Sequence, residues 1–465
     1  MTNEREGFRV TLYGGAETVT GSHFLVQNNT TNVVIDCGIE QGKDVCDECA
    51  YDPFPYDVAR IDALIITHAH LDHIGRAPRL MRFGFSGRIY MTAPTRDLGE
   101  LILRDSAHIL KDHARQKGRE PLYVEKDIDA FLERVTVVPY HTETKISDTL
   151  SFSLSNTGHI LGSAAVRIHD HESDATFAVT SDIGATPAVL LPSAEPVQDA
   201  DVVLIESVYG NRANAEQKHR VDSLRSLLQK AVARGGPVLI PSFSMERTQL
   251  ILYELAHFFA QKELPEVKVF LDSPLAIAIT AVYRKYAREY FNDELKQELT
   301  EGKDVFSFPF LTVTESKEDS KMIVEAPNPK VIIAGAGMSH GGRIGNHEVR
   351  YLDDSTATLI MVGYQAPGSP GRLLESGVKR IRINGQEVEV RADIQTLHGW
   401  SGHADRDGLL AYAEGCLPRT KTFIVGIGEP ASSRFLAQRI NGFLGVKAIV
   451  PTTGETYSIT KKGIV

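Results

Sequence analysis

A cluster of metal-binding side chains, directly after an apolar run, constrains this chain more than any other feature. Residues 61–66 (IDALII) are typical of a buried strand. Three imidazoles and one carboxylate follow within six positions, at His68, His70, Asp72 and His73. Imidazole and carboxylate are ligands that zinc and manganese accept, and four of them in one turn would be costly to bury without a cation. The pattern therefore predicts a metal site on the loop that leaves the strand, rather than a solvated polar loop.

The bulk composition is that of an ordinary globular protein. The chain has 465 residues, of which 42% are hydrophobic and 24% charged, enough for two domains or for one large domain with an insertion. No apolar run approaches the ~18 residues of a membrane span, so we expect none. The first seven residues lack a basic stretch followed by an apolar one, so we expect no secretory signal and a cytoplasmic location.

Charge and cysteine content exclude some classes of protein. The formal net charge of −10 counts against a protein that coats nucleic acid, although an enzyme could still admit a phosphodiester strand into a locally positive groove. Four cysteines are too few for a disulfide framework. Cys46 and Cys49 have the spacing of a zinc ribbon, but no second pair matches it, so we favour an irregular loop there.

The character of the chain changes near residue 202. Before it, short strands separated by glycine-rich turns dominate. After it, strands and helices alternate, as in strand 238–241 and helix 245–260, which predicts a parallel α/β sheet. A hairpin signal at Asn384-Gly385 then begins a return to mixed structure.

Two further candidate ligands fall near predicted strand ends. His159 lies between Gly158 and Gly162, where the backbone can turn sharply, and Asp182 follows the apolar strand 176–180. Either residue alone would usually be an ordinary surface group. Their order after the His68–His73 cluster makes a shared site the better interpretation.

Together these motifs resemble the metallo-β-lactamase superfamily, and within it the β-CASP branch of nucleic-acid-processing nucleases, especially the type of the polyadenylation-factor endonuclease and its prokaryotic relatives. The matching stretches are residues 14–22, 35–38, 67–73, 158–159, 181–182, 206–212, 241–249, 271–274, 341–343, 363–365 and 400–405. The resemblance implies an α/β fold, an αββα sandwich interrupted by a β-CASP domain. We accordingly expect a metallo-β-lactamase domain over 1–206, a β-CASP domain over 207–385, and a return segment over 386–465.

The resemblance also implies roles for the candidate residues. One zinc is expected on His68, His70 and His159, and a second on Asp72 and His73, while Asp182 bridges the two. A pair of cations of this kind generates hydroxide from a shared water and clamps the oxygens of a phosphoryl group.

Glu206 and His403 resemble the two β-CASP positions beside the metals. A carboxylate next to an imidazole can keep the ring protonated, ready to donate to the departing sugar oxygen. We count both residues, with Asp72, as catalytic. The structural alternatives are a strand-end capping role for Glu206 and a helix N-cap for His403.

One position departs from the family pattern. Where RNA-processing members carry a histidine that completes the second metal site, this chain has Ile427, which cannot act as a ligand. The second site is left with Asp72, His73 and the bridging Asp182, so we expect one or two zinc ions per chain. DNA-processing relatives are similar in having an apolar residue there.

The sequence thus favours a zinc-dependent endoribonuclease that acts on single-stranded RNA, to which 5′ exonuclease activity could be added. One alternative is a DNA nuclease of the same fold, and another is a catalytically weak scaffold subunit. A small-molecule hydrolase is disfavoured because the β-CASP insertion would roof the site. Because relatives commonly dimerise, we expect a homodimer. We expect no membrane partner.

Overall fold

The computed structural model describes residues 7–40 and 49–465. Contacts divide the chain into two compact units. Unit 1 comprises the described residues of Met1–Ala213 together with His403–Val465, and unit 2 is Asn214–Gly402. Cys46 lies outside the described residues, so the irregular loop around it stays a prediction.

The strands are numbered here in chain order. They are β1 (Phe8–Gly14), β2 (His23–Gln27), β3 (Asn32–Ile35), β4 (Ala63–Ile65), β5 (Arg88–Met91), β6 (Val135–Val137), β7 (Thr144–Lys145), β8 (Leu150–Asn156), β9 (Ala164–Asp170), β10 (Ala175–Val179), β11 (Val202–Ile205), β12 (Pro237–Pro241), β13 (Lys268–Asp272), β14 (Leu311–Val313), β15 (Lys330–Ala334), β16 (Thr358–Val362), β17 (Arg380–Ile383), β18 (Gln386–Glu389), β19 (Asp393–Leu397), β20 (Thr422–Val425), β21 (Lys447–Ile449), β22 (Thr456–Thr460) and β23 (Gly463–Ile464).

The α-helices are numbered in the same way. They are α1 (Leu71–Ile74), α2 (Ala93–Lys117), α3 (Glu125–Leu132), α4 (Arg220–Ala233), α5 (Arg247–Ala260), α6 (Pro274–Tyr290), α7 (Asp293–Thr300), α8 (Lys317–Glu325), α9 (Ile344–Tyr351), α10 (Pro370–Glu375), α11 (Arg406–Gly415) and α12 (Pro430–Arg439). None of the described helices is both long and apolar enough to cross a lipid bilayer.

Unit 1 is a four-layer sandwich. Its described strands form one sheet in the order β23-β22-β1-β2-β3-β4-β5-β6 and another in the order β21-β20-β11-β10-β9-β8-β7. Inward side chains of both sheets, such as Val26 and Phe177, share one core. The other face of the first sheet packs against α2 and α3, and that of the second against α11 and α12. This arrangement confirms the predicted αββα fold.

Unit 2 is built on a six-stranded parallel sheet in the order β14-β13-β15-β12-β16-β19. Strands β12, β15 and β16 are buried along their whole length, as expected when helices cover both faces of a parallel sheet. The predicted hairpin is confirmed, because β17 and β18 pair around Asn384 and Gly385, which both have positive φ.

The compact units do not divide where the sequence placed its domain boundaries. They separate at 213/214 and at 402/403, whereas the predicted boundaries are 206/207 and 385/386. The second difference has a clear cause. Strand β19, which the sequence placed in the return segment, pairs in parallel with β16 of unit 2.

Candidate metal centre

The predicted site residues all belong to unit 1. Most lie on loops that follow its strands, whereas Asp72 and His73 lie in the short helix α1 and His403 comes shortly before α11. Strands β10 and β11 run parallel, so their carboxyl ends meet at one edge of the sheet and bring Asp182 and Glu206 together. Strands β3 and β4 of the other sheet are also parallel, and they bring Asp36 near the loop that carries His68.

Four side chains form a compact set of donors. Nε2 of His68 and Nε2 of His159 lie 3.6 Å and 3.4 Å from Oδ2 of Asp182. Nδ1 of His70 lies 3.1 Å from the His68 nitrogen and 3.2 Å from the His159 nitrogen. Four ligand atoms around a tetrahedral zinc, each about 2.0–2.1 Å from the ion, would lie roughly 3.3 Å apart. The observed separations therefore fit a zinc ion held by His68, His70, His159 and Asp182.

Asp182 also turns its second oxygen toward His73. Oδ1 of Asp182 lies 3.4 Å from Nε2 of His73, and both atoms are buried without a hydrogen bond to any described residue. Buried polar atoms are rarely left unsatisfied, and a cation bound beside these two atoms would satisfy both. Oδ2 of Asp72 is farther away, 3.9 Å from the same His73 nitrogen. Within the described chain, Asp72, His73 and Asp182 do not form a donor set as close as the first.

Asp36 supports the loop that carries His68, although it was not among the site residues predicted from the sequence. It is fully buried, and its carboxylate accepts hydrogen bonds from the backbone N–H and the hydroxyl of Thr67, both at 2.8 Å. It also accepts one from Nδ1 of His73 at 2.7 Å, which leaves Nε2 of that ring to face Asp182. The available signal was the position of Asp36 directly after an apolar strand, which is similar to that of Asp182 shortly after β10.

Burial and neighbouring charges set the protonation of the histidines. Burial and the His73 ring lower the pKa of His68 well below its ordinary value, and burial lowers the pKa of His70 to about 4. These rings are therefore neutral near pH 7, the form that binds a metal. For His73, burial lowers the pKa, but the carboxylates of Asp182 and Asp36 outweigh it and raise the pKa well above its ordinary value.

Glu206 and His403 form a pair beside the donor set. Nδ1 of His403 lies 3.4 Å from Oε2 of Glu206 and 4.0 Å from Oδ2 of Asp182. Glu206 is fully buried and accepts a hydrogen bond from the backbone N–H of Ile183, so it has the predicted capping role in addition to the contact with His403. Burial lowers the pKa of His403, but Glu206 and Asp182 more than compensate and raise it to about 9.

The alternative interpretation of His403 as a helix N-cap is wrong. Helix α11 is capped by Asp405, whose side chain accepts hydrogen bonds from the backbone N–H groups of Asp407 and Gly408. The side chain of His403 is 22% exposed. It is therefore accessible from outside while it touches the buried carboxylates.

Ile427 lies in the hydrophobic core of unit 1 and is fully buried. Its φ of 44° is in the left-handed region, which a β-branched residue rarely adopts. Its backbone is held in place because its N–H donates to Gly15 and its carbonyl accepts from Ser207. The side chain at this position therefore has no lone pair with which to bind a cation, and the backbone that carries it is strained.

Comparison with known proteins places these features in context. Residues 18–155 match the family model of the "Metallo-beta-lactamase superfamily" and residues 248–374 that of the "Beta-Casp domain". Residues 387–451 match the "Zn-dependent metallo-hydrolase RNA specificity domain".

Similar proteins extend over most of the chain. Ribonuclease TTHA0252 of Thermus thermophilus is 36% identical over 407 residues, which cover 88% of this chain and 91% of that protein. Transcription termination factor FttA of Methanocaldococcus jannaschii is 33% identical over 455 residues, covering 95% of this chain and 70% of that protein. A crystal structure of a protein of unknown function from Enterococcus faecalis covers 97% of this chain with a TM-score of 0.55 and 13% identity, a likeness of fold alone.

Proposed function

This chain belongs to the β-CASP branch of the metallo-β-lactamase superfamily, and we propose that it is a zinc-dependent ribonuclease that hydrolyses phosphodiester bonds of single-stranded RNA. The observation that carries the proposal is the donor set of His68, His70, His159 and Asp182, at the spacing of a tetrahedral ion, with the Glu206–His403 pair beside it. RNA as substrate is supported by the likeness to the Thermus relative, which is named as a ribonuclease, and by the match to the RNA specificity domain.

Each residue has a distinct task in the proposed reaction. A cation held by the donor set would lower the pKa of water and so make hydroxide available for attack on phosphorus near neutral pH. Asp72 has a side chain that is 19% exposed, and burial raises its pKa, so its carboxylate can accept a proton from the attacking water. Its Oδ2 lies 3.9 Å from Nε2 of His73, and the same nitrogen lies 3.4 Å from Asp182, so Asp72 is near the donor set.

His403 is the proposed donor of a proton to the leaving sugar oxygen. The buried Glu206 carboxylate and Asp182 keep the ring protonated at neutral pH, because they raise its pKa to about 9. The hydrogen bond from Ile183 N–H orients Glu206 and so fixes the distance of 3.4 Å to the ring. General acids of this kind typically contribute about 10²–10⁴-fold to the rate.

The number of zinc ions follows from the unequal donor sets. The first set has three imidazoles and a carboxylate, whereas the second has Asp72, His73 and the shared Asp182. The residue that resembles the completing histidine of RNA-processing relatives is Ile427. We propose that the resting protein holds one zinc tightly and the second only weakly.

Unit 2 offers a surface for unstacked bases. Phe243 and Tyr364 follow the carboxyl ends of the parallel neighbours β12 and β16, and they are 39% and 58% exposed. The Arg247 guanidinium lies 6.0 Å from the Phe243 ring and donates a hydrogen bond to the Val362 carbonyl. Exposed aromatic rings next to a guanidinium are suited to stacking with single-stranded nucleic acid. Their position supports a single-stranded substrate.

A cleavage assay tests the proposal. Labelled single-stranded RNA and DNA of the same sequence are incubated with the zinc-loaded wild-type chain, with Asp72→Ala and with His403→Ala. We expect RNA cleavage by the wild type and a loss of at least about 100-fold in both variants. His108→Ala serves as a matched control, because this histidine is 78% exposed on α2. Undiminished cleavage by both site variants would refute the mechanism.

A DNA nuclease is the second candidate, because Ile427 resembles the apolar residue of DNA-processing relatives. Cleavage of the DNA strand alone in the same assay would establish it in place of the ribonuclease. The cytoplasmic location and the homodimer stay predictions of the sequence, and light scattering of the purified chain would test the latter.

A further inference from the structure

A second group of metal-binding side chains lies on the outer face of the β7–β8–β9 edge of unit 1. His169 on β9 and His171 just beyond it are two residues apart, so their side chains point to the same side of the sheet. Ile168, between Arg167 and His169, points the other way into the core. The two imidazole rings lie with their centroids 4.5 Å apart.

Glu143 is brought to the same place by the neighbouring strands. Ser151 of β8 is the pairing partner of His169, and its hydroxyl donates a hydrogen bond of 2.7 Å to Oε1 of Glu143. One donor atom each of Glu143, His169 and His171 then lie within 4.8 Å of one another. Three potential ligands from separate parts of the sheet edge therefore converge without help from the residues of the catalytic site.

The orientation of His169 is fixed from behind. Its Nε2 lies 2.9 Å from Oδ1 of Asp174, and Asp174 is itself paired with Lys461. When Nε2–H donates to this carboxylate, the lone pair of the neutral ring is on Nδ1. A carboxylate that accepts from the second ring nitrogen commonly supports a histidine ligand, because it fixes the tautomer and increases the basicity of the ring.

The backbone of His171 is also held, since its N–H donates to the carbonyl of Thr149 at 2.9 Å. The side chain of His169 is 21% exposed, and His171 and Glu143 are exposed, so an ion could enter from solvent. Two imidazoles and one carboxylate are a ligand set of zinc that leaves a fourth position for water.

We propose that Glu143, His169 and His171 form a binding site for a borderline divalent cation, Zn²⁺ in the first place, on the outer face of unit 1. The cation joins β9 to the segment that enters the edge strand β7, so its effect is to stabilise this edge of the seven-stranded sheet. Edge strands expose unpaired backbone groups, and proteins commonly protect them. The site does not depend on the proposed nuclease activity.

Zinc binding to the full-length chain tests this site directly. Equilibrium dialysis against Zn²⁺ is expected to give one bound ion fewer per chain in the double variant His169→Ala/His171→Ala than in the wild type. The control is His108→Ala/His113→Ala, which removes two surface histidines of α2 and should leave the stoichiometry unchanged. Cleavage of a phosphodiester substrate should be the same in all these proteins. Equal zinc stoichiometry in the wild type and the His169/His171 variant would overturn the proposal.

Conservative variants distinguish a specific metal site from surface histidines that lie close together by chance. Asp174→Asn keeps every proposed ligand but removes the charge behind His169, and loss of such a support typically weakens metal binding about 10–100-fold. Glu143→Gln should weaken the same site. In both variants the zinc-dependent rise in the melting temperature should shift to higher zinc concentrations. An unchanged zinc affinity in both would refute the role assigned to Glu143 and Asp174, even if the histidine variant misfolds.

Discussion

Asp36 acts on the metal centre without being one of its proposed ligands. Its carboxylate holds Thr67, which begins the histidine loop, and Nδ1 of His73. The His73 ring is thereby turned so that Nε2 faces Asp182. At the scale of single residues, the position of a donor atom thus depends on a hydrogen-bond partner that lies behind it.

Asp36→Asn should therefore weaken metal binding at a distance. The amide removes the negative charge and can present N–H to Nδ1, which disfavours the tautomer in which Nδ1 donates. We expect zinc affinity to fall about 10–100-fold, as for other supporting carboxylates. Competition with a chromogenic chelator measures this affinity. Asp57→Asn is the control, since that carboxylate is 60% exposed. An unchanged affinity would remove Asp36 from the metal centre.

The Glu206–His403 pair predicts a pH dependence. The pKa of His403 is raised to about 9, so the ring is protonated below that pH and the rate falls as pH rises through it. A bound cation adds positive charge nearby and lowers the pKa of His403 somewhat, so the fall in rate should begin at a somewhat lower pH. Glu206→Gln removes the carboxylate that raises the pKa of His403, so the fall in rate at alkaline pH should move to lower pH. If the rate fell at the same pH in the wild type and in Glu206→Gln, the pairing of Glu206 with His403 would be contradicted.

The same raised pKa contributes to stability. Because the folded-state pKa lies above the ordinary value of 6.5, the contribution is fully present below about pH 6.5 and is lost as pH rises through about 9. The difference in unfolding free energy between wild type and Glu206→Gln should therefore shrink over that range.

Ile427 is the residue whose replacement should change the metal content. Histidine tolerates the left-handed backbone better than isoleucine and supplies a nitrogen ligand. We expect Ile427→His to raise the zinc content from about one to about two ions at the catalytic centre, as measured by metal analysis in the His169→Ala/His171→Ala background. Ile427→Asn is the control, because it relieves the same backbone strain without an imidazole. Equal zinc content in both variants would attribute the effect to strain alone.

At the scale of elements, parallel pairs of strands assemble the site. The carboxyl ends of β10, β11 and β20 meet at one edge because these strands are parallel neighbours, and they carry Asp182, Glu206 and Ile427. In an antiparallel pair, successive strands would place these residues at opposite ends of the sheet. The same logic brings Phe243 and Tyr364 to one edge of the sheet of unit 2.

Removal of the two aromatic rings should weaken RNA binding. Base stacking on an aromatic side chain is worth about 1–3 kcal/mol per base, so Phe243→Ala and Tyr364→Ala should each reduce affinity for single-stranded RNA by roughly 10–100-fold. Fluorescence anisotropy of a labelled oligonucleotide measures this, while zinc content should stay constant. Phe443→Ala is the control, because that ring is 69% exposed in unit 1. Equal affinities of all three variants would exclude a stacking role.

At the scale of the whole molecule, a continuous segment with its own parallel sheet and core is inserted into a unit that both ends of the chain complete. Residues of β1 and β22, from opposite ends of the chain, pair directly in unit 1. Every proposed ligand of the catalytic centre also lies in unit 1. Ligand binding stabilises the part of a protein that holds the ligand, so metal removal should act on unit 1.

Hydrogen exchange with mass spectrometry tests this expectation. Removal of zinc by a chelator should increase exchange in the loops at 66–74, 157–160 and 180–184, where the donors lie. The buried strands β12, β15 and β16 of unit 2 provide the internal control and should be unaffected. Equal deprotection of both units would show instead that they unfold as one body.

Much of the fold and of the candidate metal site could be predicted from the amino-acid sequence alone. His68, His70, Asp72 and His73 are close in the chain, so no knowledge of the fold was needed to suspect a metal site. Periodicity of apolar residues likewise predicted the strands around them and the α/β character of the middle segment, because it reflects interactions between near neighbours. The order of the motifs along the chain pointed to the αββα sandwich.

Other features were decided only by the tertiary structure. The support of His73 by Asp36 and the convergence of Glu143 with His169 join segments that are far apart in sequence. The contact of His403 with Glu206 does so too, and only the family resemblance had linked these two residues. The end of unit 2 at 402/403 likewise depends on tertiary structure, because β19 pairs with β16 of that unit. Strand partners are selected by packing and hydrogen bonding summed over the whole chain, whereas a local pattern specifies only that a strand will form.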